Sequence, residues 1–438
     1  MRKVNVSELI AKAKLNRFFI TVFLVTLLVF VANGYGQGVF GVAMPNILTD
    51  PTAPTNDAVV LGLVVTCTLV GMFFGSLVFG VVADKIGRPK TLAICMVLFC
   101  AGNGLIGIAS TEAEFFIYRV AAGFGLAGVV PVCFAIVSEY SPLKHRAALT
   151  SYVSSGVPIG QIIAPLLAML ILPVGGWRWM FLTAFLPLVF IVLVFAFLPE
   201  SMERLVGQKR FDKVKQILKK AVPLFGAADD DEYVTASSQV GKTKSSLADL
   251  FKGGMARTTL LFWVAFICMM FFTYGMSTWL PQMMIQAGFP VANSLIFMFL
   301  YTAGSVPGIF VSGLLVGRLG YKKCTSLYIA IVAISMMLLA LRPDVLIMYI
   351  LLFLCGWGLF GSMAIIYTYL SISYPIVVRS TGVGFAAGIG RIGGSIAPMA
   401  GGFLAAAGTP LAVNFLFFAA FAVVACVAII LTKGKVAD

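Results

Sequence analysis

Residues 58–90 read AVVLGLVVTCTLVGMFFGSLVFGVVADKIGRPK. Positions 58–83 hold no charge, and this run is longer than the ~20 apolar residues an α-helix needs to cross a bilayer core. Asp84, Lys85, Arg88 and Lys90 then end it abruptly, as a loop returning to water does. The pattern returns 233 residues later, where Gly80, Gly87 and Lys90 meet Gly313, Gly320 and Lys323. One register continues downstream. Gly123, Gly125, Leu126 and Gly128 meet Gly356, Gly358, Leu359 and Gly361; Ser138, Pro142 and Arg146 meet Ser371, Pro375 and Arg379; Gly160 and Pro165 meet Gly393 and Pro398. Chance does not hold one offset that far, so the chain carries two copies of one membrane unit in the same orientation, with a cavity expected at their interface.

The rest of the sequence agrees with this. Of the 438 residues 60% are hydrophobic and 11% charged, with a mean hydropathy of +1.02, far from the ~25% charged of soluble domains. Apolar runs fall near 18–48, 58–83, 91–109, 114–138, 147–172 and 178–198, then 257–286, 293–317, 324–341, 345–373, 379–406 and 411–432. The expected fold is an all-α membrane protein of twelve transmembrane helices in two pseudo-symmetric six-helix bundles. These are residues 1–198 and 257–438, joined by a linker at 199–256 with a short amphipathic helix near Phe211–Leu218 and an acidic run at Asp229–Glu232. The first run is too long for a cleaved signal peptide. Of 31 Lys and Arg, 27 fall on the tails and alternate loops and only Arg178 and Arg342 on the others, which predicts both termini in the cytoplasm of a multi-pass inner-membrane protein. A charge of +14 spread over loops argues against nucleic acid as a partner. Eight cysteines without a C-x-x-C pair and one histidine, His145, give no metal or disulfide framework.

The string Gly80, Asp84, Gly87, Arg88, Lys90 resembles the cytoplasmic-loop signature of the major facilitator superfamily. A carboxylate at a helix C-terminus needs a partner, so Asp84 is expected to pair with Arg88 or Arg146, or to face the helix starting near Arg379, as a latch between the halves. Gly317 replaces the acid in the second copy. Ser138 to Pro142 with Glu139 and Arg146, then Pro199–Ser201, Trp279–Pro281, and Tyr374, Pro375, Arg379, Thr381, Gly382, Gly384, Gly388, Gly390, Arg391 and Gly393 are similar to the aromatic acid:proton symporter family over essentially the whole chain. That resemblance implies inward transport of aromatic or hydroaromatic carboxylates with protons. Where the family has an acidic D-G-[FY]-D string, this chain has Asn33, Gly34, Tyr35 and Gly36. Coupling then uses a rim carboxylate, or is lost in a uniporter or exchanger, or Asn33 is a replacement that traps one state.

Arg119 and Arg391 are the charges deep within spans, and intramembrane charge is a functional hypothesis by default. Arg391 follows Arg379 by twelve residues, ~18 Å along a helix, at a depth suited to bidentate capture of a carboxylate. Arg119 is expected to pair with Glu114 or a helix-end carbonyl. Asn33, Tyr35, Gln37, Tyr274, Trp279 and Gln282, with Gln161, Trp357 and Tyr367, are the further candidates for ring stacking and amide contacts.

The expected function is alternating-access transport of a small organic anion, by proton symport, with a monomer as the working unit, lipid as its surroundings and no cofactor beyond coupling protons. The alternatives are an uncoupled facilitator or exchanger, sugar or polyol transport on the same fold, and a ligand sensor. No His, nucleophile and acid constellation supports an enzyme.

Overall fold

A computed structural model describes residues 3–223, 225, 231–234, 247–252 and 255–432. Strand β1 (Lys3–Asn5) and helix α1 (Val6–Lys12) precede the first membrane helix, α2 (Arg17–Thr49). There follow α3 (Ala58–Ile86), α4 (Arg88–Gly104), α5 (Glu112–Glu139), α6 (Leu143–Ser154), α7 (Gly156–Leu182) and α8 (Phe190–Phe197). The connector contributes α9 (Met202–Gly207), α10 (Phe211–Ala221) and β2 (Glu232–Val234). The second half comprises α11 (Ala256–Gln286), α12 (Val291–Ala303), α13 (Ser305–Leu319), α14 (Tyr321–Ala340), α15 (Val345–Ser373), α16 (Ile376–Ala406) and α17 (Leu411–Leu431).

Ten stretches of the described residues are long and apolar enough to span a membrane. One of them, 143–197, is 55 residues long and breaks at Gly176, where φ is 64°, so it supplies two passes; α16, 31 residues long, packs along α3 and α11 as a further one. The result is two six-helix bundles. Local chemistry sets the helix starts: Asn16 and Asp57 accept from the first backbone N–H groups of α2 and α3, and Thr111 with Glu114 forms a capping box on α5. Gly87 and Gly320, at φ of 99° and 76°, turn the chain where the loop motif and its copy lie. The expected span at 293–317 is one membrane-long stretch, Val291–Leu319, in which Gly304 joins α12 to α13 with helical φ and ψ of −60° and −23°.

The sequence repeat is kept in three dimensions. A methyl group on Gly123 would strike the Thr68 carbonyl, and one on Gly356 would strike that of Tyr301, its equivalent. Gly125 lies against the backbone of Cys95 and Phe99, and Gly358 against Tyr328 and Val332; Gly71 meets Val120 and Phe124, and Gly304 meets Phe353 and Trp357. Each pair is separated by the same 233 positions. These are the backbone approaches that small residues permit where lipid provides no hydrophobic drive for association.

The halves touch asymmetrically. On the side away from the termini, Gly41 abuts Ser277, Gly62 abuts Pro398 and Gly402 abuts Ala58. Toward the termini, Gly80, Gly313, Gly317, Gly384 and Gly388 have nothing within 4 Å of where a Cβ would stand. The close glycine–backbone approaches between the halves are therefore on the face away from the termini, and these glycines toward the face that carries the ends are uncovered.

The connector is not simply a solvated linker. The expected amphipathic helix is α10, and it buries Val214, Leu218 and Ala221 together with Val4, Val6, Ile10, Met202 and Leu205 in the core of the first half. β1 pairs in parallel with β2, Lys3 opposite Glu232, clamping the N-terminal segment to the connector. Asp229 and Asp230 of the acidic run lie outside the described residues.

Candidate functional site

Where the two bundles meet, a cavity of about 200 Å³ is walled by α2, α3, α5 and α7 from the first half and α11 and α15 from the second. Gln37, Thr68, Arg119, Gln161, Thr273, Tyr274, Ser277, Thr278 and Tyr367 supply its polar groups; Val65, Leu69, Met72, Val157, Met270, Phe360 and Met363 complete it. No Asp or Glu is among these residues. Toward the termini, Tyr152 and Phe310 bring a ring from each half to 5.7 Å.

Arg119 is the one charged residue of the lining and is 2% exposed. Its guanidinium donates to Asn103 Oδ1 at 2.7 Å and lies 4.7 Å from the Phe40 ring centroid. Asn103 is oriented in turn by donating its own amide to the Phe99 carbonyl at 3.0 Å. Glu114, the expected partner, instead accepts from the backbone of Ser110 and Thr111 at the start of α5. Arg119 Nε, Thr68 Oγ1 and Gln161 Oε1 are all buried without a protein partner. Buried polar atoms left unpaired are costly, so three in one small chamber leave bonding capacity that a ligand or water can take up.

Asn33 stands one layer behind. Its amide donates to the Leu126 carbonyl at 3.0 Å, and its Oδ1 accepts from Gln37 at 2.7 Å. Arg391 lies beside the cavity, outside its lining. It donates to Ser76 Oγ at 2.9 Å across the interface, and Gly394, three residues further along α16, lies against the Tyr274 ring. The structure thus brings Arg119, Gln37, Gln161, Tyr274 and Tyr367 together, with Asn33 and Arg391 adjacent.

The other candidates are elsewhere. Tyr35 points its hydroxyl at Thr183 and Met180, inside the first half. Trp279 is fully buried and donates to the Pro398 carbonyl at 2.8 Å. Trp357 packs on Gly304, Gly308 and Tyr328, and half-buried Gln282 is not in the lining. Thr68, Met72, Met270, Thr273, Ser277, Phe360 and Met363 carry no signal in a single sequence that separates them from ordinary packing residues.

The loop cluster also differs from expectation. Asp84 is exposed and has no hydrogen-bond or ion-pair partner among the described residues. Arg88 instead pairs with Glu139 and donates to the Ala135 carbonyl, while Glu139 accepts from Ser201 Oγ and the Met202 backbone. Glu200 accepts from the Arg88 backbone and from Arg204, and Tyr140 donates to the Glu200 carbonyl. This network fastens α4, α5 and the connector within one half. A side chain at Gly87 would also meet the Glu200 carboxylate. Among the described residues Arg146 donates to Ser141 in its own half, Arg379 Nε has no hydrogen-bond partner, and Lys90 is exposed. Among the described residues no hydrogen bond or ion pair joins Asp84, Arg88 or Arg146 to the second half.

The sequence model of the Major Facilitator Superfamily matches residues 26–341. The chain is 33% identical over 439 aligned positions to a benzoate transport protein of Acinetobacter baylyi, covering 99% of this chain and 94% of that protein. It is 28% identical to a gentisate transporter of Corynebacterium glutamicum, covering 91% and 84%. A crystal structure of a D-xylose-proton symporter superposes with a TM-score of 0.74 at 17% identity, over 96% of this chain and all of the other, a likeness of fold alone. The chain is a multi-pass membrane protein and belongs to the Major Facilitator Superfamily.

Proposed function

We propose that this protein is a secondary transporter that carries aromatic monocarboxylates by alternating access through the Arg119 cavity. The observation that carries this is one buried guanidinium with a free Nε on the wall of a chamber whose other lining residues are all uncharged. The substrate carboxylate takes the guanidinium and the Thr68 hydroxyl, and the ring lies against Tyr274, Phe360 and Tyr367. A cavity of ~150 Å³ admits benzene, so about 200 Å³ leaves room for one ring and its carboxylate. Two relatives named for aromatic monocarboxylates, benzoate and gentisate, support the same substrate class. Sugar transport has no use for a buried cation facing an acid-free cavity.

The loop charges favour both termini in the cytoplasm of the inner membrane, which makes the face with the uncovered glycines the inward one. Each chain holds a whole cavity, in keeping with a monomeric working unit, and the halves 1–198 and 257–438 move about the connector. The acid-free lining and the paired amide of Asn33 favour transport down the substrate gradient or by exchange over proton symport. Uptake of labelled benzoate, 4-hydroxybenzoate, gentisate and xylose into proteoliposomes tests this, with and without an inward proton gradient. Saturable uptake of the three acids and none of xylose is expected; equal xylose uptake overturns the substrate assignment. Gradient-driven accumulation above equilibrium restores symport.

A further inference from the structure

A further concavity among the described residues shares no lining residue with the Arg119 cavity. A groove of about 630 Å³ runs between residues 11–15, the passage from α1 to α2, and Leu143, Lys144 and His145, which open α6. One wall leads into α2 and the other is the first turn of the stretch that begins at Leu143, so the groove sits where the bilayer interface meets the termini-bearing face. Its cations are Lys12, Lys14 and Lys144, with His145 beside them. Lys12 is tied to Glu8 at 2.6 Å, whereas Lys14 and Lys144 have no anionic partner among the described residues. Asn16 donates to the carbonyls of Lys220 and Ala221, bringing the basic last turn of α10 alongside.

The groove is also apolar in the way a purely aqueous anion site is not. Leu15 and Leu143 are 40% and 66% exposed within it. Below it, Ile20, Leu24 and Leu28 form an exposed i, i+4, i+8 stripe down α2. A cationic shelf at headgroup level above an apolar stripe matches an amphiphile with an anionic head.

We infer that the groove between residues 11–15 and Leu143–His145 binds the headgroup of an anionic phospholipid, with an acyl chain along Ile20, Leu24 and Leu28. The bound lipid joins α1 to the start of α6 and so holds the N-terminal segment and its β1–β2 clamp against the first bundle. Free phosphate would use the lysines but not the leucines.

Native mass spectrometry of the detergent-purified full chain with equimolar phosphatidylglycerol and phosphatidylcholine tests this. Phosphatidylglycerol should be retained at least tenfold over phosphatidylcholine. Replacing Lys14→Gln and Lys144→Gln together should weaken it about thirtyfold, at about fivefold per lysine near a membrane surface. Replacing Lys213→Gln and Lys323→Gln, also exposed lysines, should leave retention unchanged. Equal retention of the two lipids, or an unaltered Lys14/Lys144 variant, overturns the site. Displacement of phosphatidylglycerol by an equal concentration of inorganic phosphate would make it a free-anion site and overturn the lipid assignment.

Discussion

Replacing Arg119→Ala removes the single charge that lines the cavity. A bound carboxylate would then be buried opposite Asn103, whose Oδ1 is itself an acceptor. Truncating one partner of a buried, hydrogen-bonded charge pair costs about 2–5 kcal/mol. That corresponds to a loss of ~30- to ~5,000-fold in benzoate affinity. Arg119→Lys keeps the charge, but a single ammonium does not reproduce a planar fork that holds Asn103 on one nitrogen and offers others to substrate, so partial recovery within about tenfold of wild type is expected. Arg391→Ala provides the contrast. Its guanidinium is engaged with Ser76 across the interface, so its loss should reduce the transport rate more than the equilibrium affinity. The assay is titration calorimetry of benzoate into purified protein, beside a thermal-unfolding curve for each variant to separate weak binding from lost fold. An Arg119→Ala protein that unfolds normally and binds within threefold of wild type, while Arg391→Ala does not bind, refutes the assignment and moves the carboxylate to Arg391.

Gly123→Ala drives a methyl into the Thr68 carbonyl and should destabilise the protein by about 1–3 kcal/mol; Gly388→Ala, in open space within α16, should raise Tm slightly. Asn33→Asp replaces the donor to Leu126 with a group that donates only when protonated, so uptake should become pH-dependent and fall as the medium turns alkaline; an unchanged profile would place titration elsewhere. Asp50, just beyond α2 on the face away from the termini, accepts from the Thr52 hydroxyl at 2.7 Å, from Trp177 at 2.7 Å and from the Thr52 backbone at 2.8 Å. These bonds, the Thr52 hydroxyl foremost, with nearby Arg178, hold its carboxyl below the usual value of 3.8. A depressed carboxyl lends stability that is complete above its ordinary value and disappears as pH falls through the folded one. Acidification from pH 5 to 3 should therefore lower the Tm of wild type more than that of Asp50→Asn.

The sequence carried depth and period but not rotation. The 233-residue offset placed Gly123 and Gly356 in equivalent positions, and the structure sets them against the equivalent carbonyls of Thr68 and Tyr301. The depth of Arg119 and Arg391 was legible from their distance to the span ends. Which way each points was not: successive helical residues differ by ~100° in azimuth, and a helix apolar all round gives no face to anchor the angle. So Arg391, expected at the centre, reaches Ser76, and Arg119, given Glu114 as a partner, reaches Asn103 from α4. Trp279 was misplaced for the same reason: it faces Pro398 and fills a helix seam. The burial of α10 was missed because its partners, Val4 and Val6, are some two hundred residues away in the sequence.

The closed seam between the halves consists of glycine against backbone at Gly41, Gly62 and Gly402, with Thr66 donating to the Ser395 carbonyl and Arg391 to Ser76. The ion pairs Arg88–Glu139 and Arg204–Glu200 lie away from it, in the first half and the connector. Separating such a seam breaks no ion pair, rehydrates no carboxylate and uncovers a single cation, Arg391, so its rate should depend only weakly on ionic strength. It should respond instead to hydrostatic pressure and to the thickness of the surrounding bilayer, because what changes on opening is packed volume and lateral area rather than charge.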